Sequence, residues 1–269
     1  MKKVASILLA SSIVSMVLNL APVNFASASQ PAGYSIIINS AATGQATQKW
    51  FDCATGQTNC NITKVEKATS LAIDGLNASV SKVAITNFPR NLKPLADYYA
   101  VLVTQLYTYW HGLATAPSEA DTLGTLGTIY FISVELVSLS KSFTSLSKSQ
   151  PILLSDWMQG PLTAIVTMNN FGNYLISSPS KMNAAALIDS YTSDLAKLLL
   201  GVPSGPSPRL NSLITQYATN QRDVNEALSK YLYKKGPAPT KSWITKRTDI
   251  IASVDKQIKT MESAWFAKR

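Results

Sequence analysis

Two cysteines, one histidine and one solitary glutamate are the residues from which this 269-residue chain would have to build chemistry. Cys53 and Cys60 bracket six residues in WFDCATGQTNC. A tetrahedral metal site would need two further ligands, and His111 is the only imidazole in the chain. A reactive dithiol would more often be spaced Cys-x-x-Cys. In an oxidising compartment an even pair of thiols reads as a structural bridge. A Cys53–Cys60 disulfide closes a short loop, which on the chain-entropy account stabilises by about 2.5 kcal/mol. Gly56 and Asn59 suit the turn inside it.

His111 lies in YTYWHGL, and any Ser–His–acid triad would have to use it. The nucleophile elbow Gly-x-Ser-x-Gly does not occur. The residue reads as a helix-end histidine beside aromatics. Glu135, in TIYFISVELVSL, is the only charge between Asp121 and Lys141. On a central helix its carboxyl would be poorly solvated and hard to ionise. Such a group suits a general acid, but no second acid is expected on the same face. The plainer reading is a buried, hydrogen-bonded glutamate. Tyr98, Tyr99, Tyr107, Tyr109 and Trp110 lie close together and suit either a core or a ligand groove. The groove version consists of Tyr107, Trp110, His111 and Glu135. The glycines of TLGTLGT are followed by no Lys-Ser/Thr and lie in helical context, so they make no phosphate loop. No zinc, calcium or nucleotide signature stands out. No metal or cofactor is expected, and nothing supports an enzyme.

The elements that would carry these residues follow a secretory leader. Lys2 and Lys3 open the chain, an apolar run reaches about Leu20, and Ala26-Ser27-Ala28 offers small residues at a cleavage point. Residues 1–28 therefore read as a signal peptide of bacterial type, and the mature protein as periplasmic or extracellular. Asn61-Ile62-Thr63 and Asn77-Ala78-Ser79 match the glycosylation acceptor pattern but have no role on a bacterial route. Residues 29–61 are expected to form an irregular or strand segment closed by the disulfide, although YSIIINS could also start a helix.

From residue 62 onward the apolar spacing is helical. The expected fold class is all-α, a bundle of about seven amphipathic helices with short Pro/Gly breaks. The expected helices run from Thr63 to Val83, from Pro94 to about Leu113, and from a Ser118 cap to about Ser147. A short helix and a longer one follow, separated at Gly160-Pro161, and another runs from a Ser180 cap to Leu200. GVPSGPSP, residues 201–208, reads as a linker between a charge-poor core, 62–200, and a helical hairpin, 209–269. Leu210, Leu213, Tyr217, Val224, Leu228 and Tyr231 make one hairpin stripe. Ile244, Ile251, Val254, Ile258, Met261 and Trp265 make the other.

Charge separates these parts. The chain carries a net +9. Ser29–Pro208 holds ten Lys/Arg and ten Asp/Glu, whereas Arg209–Arg269 holds twelve and five. A neutral body with a basic hairpin attracts anionic partners: anionic lipid, acidic polysaccharide or acidic protein, with peripheral membrane contact included. Export argues against nucleic acid. Lys230, Lys234, Lys235, Lys241, Lys246 and Arg247 are the residues expected to carry that contact. Two other classes remain open. A membrane-active secreted protein is suggested by the uncharged runs Tyr98–Ser118 and Trp157–Ser180. A hydrolase of envelope or host polymers would act through Glu135.

Overall fold

The computed structural model describes residues 31–116, 119–177 and 192–266. The expected signal peptide, the expected Ser118 and Ser180 caps, Lys268 and Arg269 lie outside them, and the side chain of Trp265 is likewise not described. The described elements are helices without strands. They are α1 (Ala32–Ala54), α2 (Ile62–Ala84), α3 (Lys93–Gly112), a 3-10 turn at Leu113–Thr115, and α4 (Glu119–Ser147). After these come α5 (Leu154–Trp157), α6 (Gln159–Ser177), α7 (Ser193–Gly201), α8 (Pro208–Leu232) and α9 (Lys241–Phe266).

The N-terminal stretch departs from the expectation of an irregular or strand segment, since α1 occupies most of it. Its buried seam is Gly33, Ile37, Ser40, Gly44, Thr47 and Phe51, stepping by four and three. That is the period of two helices packed along a seam, but it is written largely in small and polar residues. Ser40 donates to the Ile37 carbonyl at 2.7 Å and Thr47 to the Thr43 carbonyl at 2.9 Å, so both hydroxyls are satisfied within the helix. Small side chains let α1 lie almost backbone to backbone on α4. A Cβ on Gly44 would overlap the Ser133 carbonyl oxygen and sit 3.0 Å from Val137. Farther along, Ser140 Oγ donates to the Ile38 carbonyl at 2.6 Å. The pairing is antiparallel.

The disulfide joins the end of α1 to the start of α2. Cys53 and Cys60 are bridged with their Cα atoms 5.8 Å apart. Gly56 takes φ +74° in the intervening turn, a conformation glycine adopts without steric cost. Asn61, the first residue of an acceptor pattern, caps α2 by accepting from the Lys64 amide at 3.0 Å.

Helix α4 lies at the centre. Phe131–Ser140 are all buried, so its apolar surface is not one stripe. A helix apolar all round is one with neighbours all round, and α1, α3, α5 and α6 all contact α4. Around it, α3 contributes Leu95, Tyr99, Leu102, Val103 and Leu106 to the main hydrophobic cluster, and α7 contributes Leu195, Ala196 and Leu199. The break expected at Gly160-Pro161 falls earlier, at Met158, and Pro161 occupies the first turn of α6, where a missing amide proton costs nothing.

The stretch 201–208 is pinned rather than loose. Trp157 Nε1 donates to the Pro203 carbonyl at 3.0 Å, and a side chain on Gly205 would run into the Trp157 indole. Gly205 also exchanges hydrogen bonds with Asn211 at 2.9 and 3.3 Å. Beyond it α8 enters the core through Leu210, Leu213, Ile214, Tyr217 and Ala218, and Val254 and Ile258 of α9 join the same cluster. Tyr217 donates to Asn169 Oδ1 at 2.9 Å, tying α8 to α6. The hairpin is therefore docked at its base.

Candidate functional site

The hairpin leaves the core toward its turn. Buried positions of α8 end with Val224, Asn225 and Ser229. Tyr231 belongs to the expected apolar stripe yet is 48 % exposed, and Tyr233 is 44 % exposed. Between Glu226 and Asp249 the sequence holds six cations and no acid: Lys230, Lys234, Lys235, Lys241, Lys246 and Arg247. The turn gathers all six at one end of the hairpin.

The local geometry explains how. Helix α8 ends with the Tyr233 amide on the Ser229 carbonyl at 3.0 Å and the Lys235 amide on the Lys230 carbonyl at 2.8 Å. Lys234 lies between them at φ +55°. This is the left-handed helix ending that glycine usually occupies, and a lysine there costs about 1 kcal/mol or more. Glycine is close by at Gly236, so the lysine holds the strained position itself. Lys235 Nζ lies 5.6 Å from the centre of the Tyr233 ring. Thr240 caps α9, accepting from the Trp243 amide at 3.3 Å. Lys241 then begins α9, where a cation opposes the helix dipole. Two local costs are thus kept at the tip, and each retains a cation.

Five of the six cations, Lys230, Lys234, Lys235, Lys241 and Lys246, are exposed and form no ion pair among the described residues. The sequence pattern favours a Glu226–Lys230 pair, but it does not close, whereas Asp255–Lys259 does at 2.6 Å. Arg247 behaves differently from its expected role. Its guanidinium stacks 3.9 Å from the Trp243 ring centre and lies 3.5 Å from Asp223 Oδ2. It braces α9 against α8 and is not presented to solvent as the lysines are.

The other candidate residues do not form one groove. Trp110 is buried edge-on against Trp50, ring centres 4.8 Å apart, and donates to Ser70 Oγ at 2.8 Å. His111 Nε2 lies 2.8 Å from Asp74 Oδ1, with the Tyr107 ring 4.5 Å away. Ser70 and Asp74, one turn apart on α2, thus receive two consecutive residues of α3. These contacts fasten two helices together. Tyr107 and His111 are exposed, and Tyr98 and Tyr99 are core residues.

Glu135 sits elsewhere, 3 % exposed. Its Oε2 fills the space a Cβ would need at Gly160, and Oε2 has no hydrogen-bond partner among the described residues. Burial pushes its carboxyl well above the ordinary glutamate range. It also influences Tyr98, whose hydroxyl is pushed up first by burial and then by the Glu135 charge. Glu135 packs against Gly160 of α6, whereas Trp110 packs on Trp50 of α1 and Ser70 of α2.

Among the described residues no group of three or more His, Cys, Asp and Glu could hold a metal ion. Comparison with protein-family models, curated proteins and solved structures gave no match to this chain.

Proposed function

We propose that this chain is an exported, non-enzymatic binding protein with a helical-bundle body, whose basic hairpin tip engages an anionic envelope component or acidic partner. The observation that carries this reading is the set of five exposed lysines that form no ion pair among the described residues, gathered by one turn, with Lys234 held against local conformational preference. A fixed cluster of like charge concentrates counter-charged partners at its surface. The signal peptide supplies the export route, and the disulfide suits an oxidising destination.

The test is the salt dependence of binding to anionic vesicles and to an acidic polysaccharide. Each lysine near an anionic surface contributes about 1 kcal/mol at low salt. Screening shortens the reach of these charges from about 10 Å at 0.1 M salt to about 3 Å at 1 M. Affinity is expected to fall on the order of a hundredfold over that range. An affinity that does not respond to salt refutes the reading.

A second reading has one observation behind it. Residues Asp121–Ser147 of α4 have a mean hydropathy of 1.4 in their most apolar window and are long enough to cross a membrane. Among the described residues α4 is the one helix that is both long and apolar enough to cross a membrane, and the uncharged runs Tyr98–Ser118 and Trp157–Ser180 would act as amphipathic elements beside it. That window is 78 % buried within the fold, so insertion would require α4 to be released from its neighbours. Dye leakage from liposomes at micromolar protein is the expected sign, and intact liposomes remove this reading.

A further inference from the structure

We infer that the hairpin tip is an interfacial anchor for an anionic lipid bilayer, with Tyr231 and Tyr233 seated among the headgroups and Lys230, Lys234 and Lys235 on lipid phosphates. This deepens the proposed function and rests on its basic-tip reading.

The aromatic residues carry the added step. Among the described residues, the exposed large aromatics are Tyr107, Tyr231 and Tyr233. Two of the three thus lie two positions apart, within the acid-free cationic stretch. Tyr98, Tyr99, Trp110, Trp157 and Tyr217 are buried, and Tyr34, Phe88, Tyr109, Tyr130 and Trp243 are half-buried. Tyr231 escapes because α8 has left the core by its last turn, and Tyr233 follows it at the helix end. A tyrosine has an apolar body and a polar tip, the combination found at the boundary between lipid and water. Lysines flanking it extend their ammonium groups to the phosphate level. A polyanionic saccharide can be held by lysines alone, so rings exposed on the same element favour a surface with both charge and apolar depth.

The experiment uses the full mature chain. Binding is measured by co-sedimentation with vesicles of phosphatidylcholine, with and without about a third phosphatidylglycerol, and in parallel on dextran sulfate. Tyr231→Ser with Tyr233→Ser removes the rings and leaves the charge. Burying roughly 30 Å² of apolar surface per ring corresponds to about a tenfold loss on vesicles. Dextran sulfate binding and Tm are expected to stay unchanged. Lys234→Gly relieves a strained backbone while removing one cation, and is expected to weaken binding to both anionic probes about fivefold. Its Tm should not fall, so that loss cannot come from unfolding.

Unchanged vesicle binding by the tyrosine pair overturns the anchor and leaves the basic-tip reading standing. Binding to dextran sulfate but not to anionic vesicles also overturns it and assigns a polysaccharide partner. Binding to neither anionic probe at low salt overturns the anchor and the proposed function together.

Discussion

Replacing Glu135 by glutamine exchanges a buried carboxyl for a carboxamide of the same shape, and the consequence depends on pH. In the folded protein burial holds this carboxyl in its neutral form well above the ordinary value of 4.5. In the unfolded chain it ionises near that ordinary value. Below it, both states are protonated and the full stability is present. As pH rises, the unfolded chain releases a proton that the folded chain retains, so unfolding becomes more favourable. The slope is about 1.4 kcal/mol per pH unit until the folded carboxyl itself ionises. The unfolding free energy of Glu135→Gln minus that of the parent should therefore grow by that amount per unit through the mildly acidic range. For a chain of this size the same difference is about 3–5 °C in Tm per pH unit. Urea unfolding followed by circular dichroism at a series of pH values measures it. Subtracting the two proteins removes the contributions of every other titrating group. Parallel stability curves for variant and parent would mean that Glu135 ionises normally, and would refute the picture of an enclosed carboxyl at Gly160.

Other outcomes follow from individual contacts. Gly160→Ala places a methyl group where the Glu135 carboxyl lies, at an expected cost of about 1–3 kcal/mol. In a Glu135→Ala background that cost should largely vanish, and a double-mutant cycle reads the coupling. Gly44→Ala meets the Ser133 backbone carbonyl, which cannot swing aside. It should destabilise by about 3 kcal/mol or more, whereas Gly75→Ala, with open space around it, should stabilise by up to about 1 kcal/mol. Thermal denaturation of the two variants side by side decides this. Removing the bridge with Cys53→Ser and Cys60→Ser should cost about 2.5 kcal/mol, and a reducing agent should lower the Tm of the parent but not that of the variant. Lys234→Gly should raise stability by about 1 kcal/mol in chemical denaturation, through release of the left-handed backbone.

The sequence by itself determined the elements whose cause is local. Helical periodicity from residue 62, the turn glycine Gly56, the Cys53–Cys60 pairing and the proline at the start of α3 all follow from near neighbours in the chain. The basic hairpin is legible for the same reason, since charge is counted without knowing where it points. Tertiary structure decided the rest. Helix α1 was hidden because its seam consists mainly of Gly, Ser and Thr, and such residues become a packing surface only when another backbone lies against them. The tertiary environment of Glu135, the inward brace of Arg247 and the outward turn of Tyr231 also required it. Each depends on which helix passes within a few ångströms. Charge and apolar character are properties of single residues, but burial and pairing belong to the neighbours the fold assigns to them.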